Sequence, residues 1–189
     1  MALPSSFTDR VRIQADRLAE SSAGAIAGLY DLTAERLVRY ATTITRHQHD
    51  AEDAVQTTLV KVAGQPKLLR TSEQPWAYLL RMVRNESLAI LRRRKRWCFV
   101  QNLTDLVTRR LVDQMDLEDR QEAVLRALRE LPTNQSEVVV LKIWEDMTFQ
   151  EIGDLLQISS STAASRYRYA IDKLDQKLRS FIAEEMSHV

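Results

Sequence analysis

The sequence has one cysteine, four glycines, four prolines and few aromatic residues among its 189 positions. The single cysteine, Cys98, cannot form an internal disulfide, and no Cys and His residues have the close spacing of a zinc site. So little glycine and proline disfavours a turn-rich β architecture and favours helices. These absences predict an all-α protein of the reducing cytoplasm, with no metal and no other cofactor.

Long apolar runs are also missing from the sequence. The stretch from Met1 to Ala19 carries several charges, so it lacks the apolar core of a signal peptide. No segment approaches the roughly 18 apolar residues that a membrane span needs. Glycine-rich phosphate loops, nucleophile elbows and metal motifs are absent as well. The sequence therefore predicts no membrane insertion and no enzyme.

The charges are present but segregated. The net charge is only +1, yet nine basic residues and two acidic ones between Lys67 and Arg96 give that stretch a local charge of +7. Acidic residues concentrate instead at Asp50 to Asp53 and between Asp113 and Glu122. Segregated charge of this kind indicates separate surfaces for separate partners.

Apolar periodicity predicts three helices in the first half of the chain. The first helix runs from about Ala23 to Thr45. The second begins at Asp50, whose side chain is its cap, and ends near Gly64. The third has Pro75 in its first turn and continues into an arginine cluster. The inward face predicted for the first helix consists of Ile26, Leu29, Tyr30, Leu37, Tyr40, Ala41 and Ile44. Periodicity is lost between Trp97 and Asp119, which predicts a domain boundary there.

A second group of helices is predicted after that boundary. A helix from about Gln121 to Glu130 ends before Pro132, and the next helix is expected to start with Thr133 or Asn134 as its cap. Thr148 to Glu151 is a capping box, which fixes the start of a short helix. Ser159 to Ser161 then provide a turn and a cap for a last long helix.

The short capped helix, serine turn and long helix together match a helix-turn-helix, whose second helix enters the major groove of DNA. Short polar residues and arginines at the start of that helix can contact base edges and phosphates. An ordinary helical hairpin with a solvated polar face has the same local pattern. This segment alone leaves both interpretations open.

A basic block follows two aromatic residues, Trp76 and Tyr78, on the third helix. Aromatic faces can stack on unpaired bases and guanidinium groups can pair with phosphates, so melted DNA is a candidate ligand. For Trp76 alone a place in the core is favoured, whereas the five consecutive basic residues Arg92 to Arg96 favour nucleic acid. The acidic stretch from Asp50 to Gln56 has no metal-ligand spacing, and a cap or a protein-docking face is favoured over catalysis.

Taken together, these segments resemble the sigma-70 family of RNA polymerase subunits, specifically its small two-domain extracytoplasmic-function (ECF) type. The stretch from Asp50 to Val62 resembles the polymerase-binding helix of that family. Pro75 to Arg96 resembles its promoter-melting and minus-ten recognition helix. Leu131 to Trp144 and Phe149 to Ala170 resemble its minus-thirty-five-binding domain.

The resemblance implies an all-α fold of two small helical domains joined by a linker, the C-terminal one a helix-turn-helix domain. It divides the chain into an N-terminal extension at 1–22, a region 2-like domain at 23–97, a linker at 98–119 and a region 4-like domain at 120–189. The implied partners are core RNA polymerase, promoter DNA and an anti-sigma factor.

The resemblance also implies roles for individual residues. Contacts with polymerase are implied for Asp50, Asp53, Val55, Gln56 and Leu59. Contacts with the melted minus-ten strand are implied for Trp76, Tyr78, Arg81, Arg84, Asn85, Arg92, Arg93 and Arg94. Contacts with the minus-thirty-five duplex are implied for Ser160, Ser161, Thr162, Ser165, Arg166 and Arg168.

The sequence departs from the family pattern at several positions. Thr57 follows the glutamine of the docking helix where an acidic residue is usual, and Ala164 and Tyr169 stand where Lys and Arg are frequent. Gln157 replaces a frequent turn glycine, and a non-glycine residue in the left-handed region costs about 1 kcal/mol. Two rival interpretations remain: a stand-alone helix-turn-helix regulator, and a decoy that binds an anti-sigma factor.

Overall fold

A computed structural model describes residues 6–18, 23–101, 124 and 127–187, with the backbone alone at 23, 96–101 and 180–187. Every regular element within these residues is a helix, which confirms the predicted all-α class. Residues 127–130 are helical too. The principal helices are α1 (Phe7–Arg17), α2 (Ala23–Thr45), α3 (Gln48–Gly64), α4 (Lys67–Arg70), α5 (Pro75–Gln101), α6 (Thr133–Ile143), α7 (Phe149–Leu156) and α8 (Ser160–Ser187).

Helices α2, α3 and α5 pack against one another and form the N-terminal half. The predicted inward face of α2 is largely confirmed, because Leu29, Leu37, Tyr40 and Ile44 are all buried. They are eight, three and four residues apart, which places them on one face of the helix. Tyr30 is the exception, since half of its surface is exposed. It lies on the edge of the apolar stripe, where the spacing alone does not separate core from surface.

The start of α3 differs from the prediction. The helix begins at Gln48 after the extended residue His47, and Asp50 lies inside the first turn. The Asp50 carboxylate is buried and its Oδ1 lies 2.8 Å from Arg94 Nη2 on α5. Its role is therefore to tie α3 to α5 rather than to cap a helix.

An additional helix, α1, occupies the N-terminal segment for which the sequence predicted no fold. Ser6 and Asp9 form a capping box, with Asp9 N donating to Ser6 Oγ at 3.1 Å. Val11, Ala15 and Leu18 are buried on one face, and the helix packs on α2 and α5. The signal was available in the sequence as a Ser-x-x-Asp pattern ahead of apolar residues at helical spacing.

The C-terminal half consists of residues 127–130 with α6, α7 and α8. Leu128 and Leu131 form a core together with Val139 of α6 and Leu174 of α8. The expected cap at Thr133 or Asn134 is wrong, because the helix begins at Thr133 directly after Pro132 and no side chain caps it. The capping box of Thr148 and Glu151 and the start of α5 at Pro75 are confirmed.

The two halves pack on each other through one continuous apolar core. Val138, Leu141 and Ile152 from the C-terminal half belong to the same buried cluster as Leu80 and Tyr40 from the N-terminal half. The helix pairs that meet are α2 with α6 and α5 with α7. The predicted linker at 98–119 lies outside the described residues except where α5 continues through Gln101.

Candidate nucleic-acid interface

The turn between α7 and α8 has the close backbone approach of a helix-turn-helix. Gln157 adopts the left-handed conformation expected of this position, with φ 60° and ψ 48°. Ile158 N donates to Gly153 O at 2.9 Å, closing the end of α7. A Cβ on Gly153 would lie 2.7 Å from Ile158 O, so this position has no room for a side chain.

Ser159 caps the start of α8, as the serine turn predicted. Its Oγ accepts a hydrogen bond from Thr162 N at 3.1 Å and lies within 2.9 Å of the Ser161 hydroxyl. The Thr162 hydroxyl is 2.7 Å from the same Oγ. The hydroxyl groups are therefore held together at the exposed N-terminus of the helix.

Helix α8 presents one polar face and buries the opposite one. Ser161, Thr162 and Arg168 are exposed, while Ala163 and Ala170 are buried against the rest of the half. The other predicted contact residues are partly exposed: Ser160, Ser165 and Arg166.

Tyr169 belongs to the same exposed face of α8, although the sequence showed it only as a departure from the family pattern. Its side chain is 55% exposed, and the Arg168 guanidinium carbon lies 5.5 Å from the ring centroid. Because Thr162, Ser165 and Tyr169 are three and four residues apart, they lie along one side of the helix. The helical spacing of Tyr169 from Thr162 and Ser165 was the sequence signal for its place on this face.

The start of α5 combines a buried aromatic residue with exposed polar ones. Trp76 is 4% exposed, and the Phe7 ring of α1 meets it edge-on at 4.8 Å. The indole Nε1 donates to Glu145 Oε2 at 3.1 Å. This geometry favours the core role for Trp76, and Tyr78, two residues further along α5, is partly exposed.

The arginines of α5 are engaged by the C-terminal half. Arg84 Nε donates to Glu137 Oε1 at 2.8 Å, and Arg81 Nη2 donates to the Asp154 carbonyl at 3.1 Å. Asn85 is exposed beside them. Trp76, Arg81 and Arg84 thus all donate hydrogen bonds to the C-terminal half.

Further along α5, Arg92, Arg93 and Arg94 are exposed. Arg93 and Arg94 lie beside α3, and Arg94 is the ion-pair partner of Asp50. A groove of about 440 Å³ lies where the two helices meet and is lined by Asp53, Gln56, Thr57, Ile90, Arg93 and Arg94.

The residues predicted on the docking helix fall into two groups. Asp53 and Gln56 are exposed at the groove, with Val60 following on the same helix at 71% exposed. Asp50, Val55 and Leu59 are buried beneath them. In this arrangement the buried group supports the helix, and the exposed group is the part that a partner can reach.

Two family models match the chain in succession. The model described as Sigma-70 region 2 matches residues 29–97, and the one described as Sigma-70, region 4 matches residues 121–174. Together they cover about two thirds of the chain. The region 2 match lies in the N-terminal half of the structure and the region 4 match covers most of the C-terminal half. The chain belongs to the sigma-70 family.

Proteins similar to this sigma-70 family chain are named as RNA polymerase sigma factors, and some of them as ECF sigma factors. RNA polymerase sigma-E factor of Streptomyces avermitilis is 29% identical over 151 residues, which is 77% of this chain and 80% of the relative. ECF RNA polymerase sigma factor SigL of Mycobacterium tuberculosis is 26% identical over 159 residues, 82% of this chain and 90% of the relative.

Two solved structures share the fold of this sigma-70 family chain. The sigma factor RpoE of Bartonella quintana, solved with the anti-sigma factor NepR, has a TM-score of 0.63 and 21% identity, covering 79% of this chain and 94% of that one. CnrH, solved with the cytosolic domain of CnrY, has a TM-score of 0.60 and 22% identity, covering 90% and 98%. None of the helices within the described residues has the length and apolar character of a membrane span.

Two acidic residues of this sigma-70 family chain were not singled out from the sequence. Glu137 on α6 and Glu145 just after it are 3% and 8% exposed. Glu137 Oε1 accepts from Arg84 Nε and, at 3.2 Å, from the Tyr40 hydroxyl. In an amphipathic helix an acid is assigned to the solvent face by default, so no sequence signal marked Glu137 as buried.

The surroundings of Glu145 shift the pKa of its carboxyl group. Burial raises the pKa of the Glu145 carboxyl above its ordinary value of 4.5, while Arg36 and Arg39 act in the opposite direction. Arg36 Nε lies 3.4 Å from Oε2, and Arg39 Nη2 lies 3.3 Å from Oε1. Burial, followed by the charge of Glu137, likewise raises the pKa of the Tyr40 phenol.

The raised pKa of Glu145 predicts a pH-dependent stability difference. Because the carboxyl holds its proton more tightly in the folded chain, its contribution to stability is largest below about pH 4.5 and is lost as pH rises through the higher folded pKa. The unfolding free energy of the wild type minus that of Glu145→Gln should therefore fall from pH 4 to pH 7. Urea unfolding of both proteins across this range measures it, and a difference that rises with pH would contradict the assignment.

Proposed function

We propose that this chain is an ECF sigma factor that binds core RNA polymerase and directs promoter recognition, DNA melting and transcription initiation, with no catalytic activity of its own. The observation that carries the proposal is the succession of region 2 and region 4 matches on one chain whose second half presents an exposed helix-turn-helix face. The proposal places the chain in the cytoplasm with RNA polymerase. We expect the protein to need no cofactor.

Polymerase docking is proposed for the groove between α3 and α5. Asp53 and Gln56 are exposed there, and Thr57 lines the same groove where the family pattern has an acid. Val60 adds an exposed apolar side chain on the next turn. A partly apolar patch with a few polar groups suits a protein partner. Asp50, Val55 and Leu59 hold the helix in place beneath this surface.

Contacts with the melted minus-ten strand are proposed for Tyr78, Arg81, Arg84 and Asn85. They share one stretch of α5 and combine an aromatic ring, guanidinium groups and an amide, which are the groups that bind stacked bases and phosphates. Trp76 is proposed to support this surface from the core. The exposed Arg92, Arg93 and Arg94 extend the positive surface toward the docking groove.

Contacts with the minus-thirty-five duplex are proposed for the exposed face of α8. Ser160, Ser161 and Thr162 lie at the helix N-terminus, where free backbone N–H groups also favour phosphate. Ser165, Arg166 and Arg168 follow along the helix, together with Tyr169. Arg168 is the strongest candidate for a guanine or a phosphate because it is the exposed arginine of this face.

An anti-sigma factor is proposed as a further partner. The two structural neighbours were solved with the anti-sigma factor NepR and with the cytosolic domain of CnrY. This chain has the same fold as those two proteins, so we propose that a partner of the same kind binds it. A decoy role remains the alternative if the chain binds such a partner but does not initiate transcription.

The test is in vitro transcription with core RNA polymerase on a pooled promoter library. We expect initiation from a defined promoter set with the wild type, and a fall to background with Asp53→Ala, Gln56→Ala, because both side chains are exposed at the proposed docking groove. The matched control is Asp31→Ala, Gln176→Ala, an exposed acid and an exposed amide on other surfaces. Duplex binding without initiation by the wild type would instead support the stand-alone regulator.

A further inference from the structure

Two ion pairs join α3 to α5 on either side of the groove between these helices. Asp50 on α3 pairs with Arg94 on α5, and Lys61 on α3 pairs with Glu86 on α5. The order of the partners is reversed along the two helices, so the helices are antiparallel. The residues that line the groove lie between these pairs along both helices or, like Arg94, belong to one of them. The ion pairs therefore hold the two walls of the groove together.

The pair between Asp50 and Arg94 fixes a guanidinium group at the groove. The Asp50 side chain is only 7% exposed, and its Oδ1 lies 2.8 Å from Arg94 Nη2. The other carboxylate oxygen, Oδ2, is buried without a hydrogen-bond partner among the described residues. Because burial of an uncompensated charge is strongly unfavourable, Asp50 holds Arg94 in place. Half of the Arg94 side chain is nevertheless exposed, so its remaining N–H donors are accessible to a partner.

The arginines near the end of α5 divide between two sides of the helix. Successive residues are rotated by about 100°, because one turn holds about 3.6 residues. Arg92 follows Asn85 by seven residues, which places the two on the same side. Arg94 follows Asn85 by nine residues and is rotated about 180° from it, and it is also about 140° or more from Tyr78 and Arg81. The proposed strand-binding side of α5 therefore includes Arg92 but not Arg94.

Arg93 and Arg94 form a basic wall of the groove, and an acid stands opposite them. Both arginines line the groove from α5, whereas α3 contributes Asp53 with polar neighbours. Along the helix axis Arg94 is about 15 Å beyond Arg84, at about 1.5 Å per residue. A DNA strand in the groove would bring its phosphates close to the Asp53 carboxylate. A protein segment with both a basic and an acidic side chain is complementary to the two walls.

We infer that Arg94, held by Asp50 and with Arg93 beside it, binds an acidic side chain of core RNA polymerase rather than a promoter phosphate. This inference rests on the proposed function, because it takes the groove as the polymerase-docking site. The arginine run then serves two partners, with Arg92 in the strand-binding surface and the other two arginines in the docking groove. A guanidinium group that is already held in position loses little freedom on binding, which suits it to a specific ion pair.

The test is a neutral replacement of the ion pair in the full-length chain, Asp50→Asn, Arg94→Gln. Both charges are removed together, so no buried charge is left without a partner and the far-UV circular dichroism spectrum should stay that of the wild type. Affinity for core RNA polymerase without DNA, measured by biolayer interferometry, should fall about tenfold, as expected for the loss of one hydrogen bond to a charged group. Arg94→Lys keeps the charge and should bind core polymerase more tightly than the neutral pair.

Three further variants separate docking from DNA binding and from folding. Arg93→Gln changes an exposed residue, and it should weaken binding to core polymerase by up to about fivefold. Arg92→Gln should bind core polymerase like the wild type. Holoenzyme assembled with saturating Arg92→Gln should bind the promoters selected from the library with a slope of log K against log salt concentration that is smaller by about 0.7 to 0.9, the loss of one phosphate contact. The matched control Arg10→Gln, Asp31→Asn removes an exposed base and an exposed acid on α1 and α2 and should change neither measurement.

The inference is overturned if the neutral pair folds and binds core polymerase as tightly as the wild type does. It is also overturned if the neutral pair lowers the salt slope of promoter binding as Arg92→Gln does, because Arg94 would then contact a phosphate. If the neutral pair does not fold, Arg93→Gln decides, and wild-type affinity for core polymerase in that variant refutes the inference. Binding to core polymerase by the wild type separates the two failures, since its absence refutes the proposed function as well.

Discussion

Trp76→Ala should lower the free energy of unfolding by about 3 to 5 kcal/mol, as expected when a buried aromatic side chain is truncated. The side chain is 4% exposed, meets the Phe7 ring edge-on and donates its N–H to Glu145. Truncation removes the packing and also leaves Glu145 without one of its donors. Urea unfolding followed by far-UV circular dichroism measures the loss.

The control for this prediction is Tyr30→Ala on α2. Half of the Tyr30 surface is already exposed, so its removal should cost less than about 1 kcal/mol. A loss of similar small size for Trp76→Ala would mean that Trp76 is not part of the core and that its base-stacking interpretation has to be restored. Trp76→Phe separates the two contributions, because it keeps an aromatic ring and removes the indole N–H.

Gly153→Ala should destabilise the C-terminal half by about 1 to 3 kcal/mol, the usual cost of forcing atoms into a filled space. The new Cβ would lie 2.7 Å from Ile158 O and 3.3 Å from Ser160 N, both backbone atoms of the turn. The turn has to open, and α8 then changes its angle to α7. Duplex promoter binding should fall together with stability, as measured by urea unfolding and fluorescence anisotropy.

Gly64→Ala is a matched control because Gly64 is also helical and its added Cβ would meet nothing within 4 Å. Reduced freedom of the unfolded chain should leave this variant unchanged or up to about 1 kcal/mol more stable. If both substitutions had the same effect, the close contact at Gly153 would not be responsible. If Gly153→Ala destabilises the protein and Gly64→Ala stabilises it, the close contact in the turn is responsible and not the loss of a glycine as such.

Local chemistry made much of the fold predictable. Capping by Thr148 and Glu151, Pro75 at a helix start and the left-handed Gln157 depend on neighbours within a few residues, so the sequence contains the whole cause. The buried face of α2 follows from helical spacing in the same way. Helix α1 shows that the same rules could have been applied to residues 6–18 as well.

Other features depended on partners far away in the sequence. Asp50 was predicted as a cap from its position, but Arg94, 44 positions later, is its partner. Exposure of Asp53 and Gln56 beside buried Val55 and Leu59 also required the packing of α5 on α3. A periodic pattern gives the direction of a side chain on its helix, and only a neighbouring helix decides whether that direction is solvent or core.

The sequence by itself determined the all-α class, the helix-turn-helix, the segregation of charge and the family to which the chain belongs, because each depends on short-range pattern and on the order of segments. Tertiary structure alone decided that the two halves share a core and that Glu137 and Glu145 are buried against Arg84, Arg36 and Trp76. The physical reason is that a charge can be buried only where partners from distant segments converge, and no local pattern records that convergence.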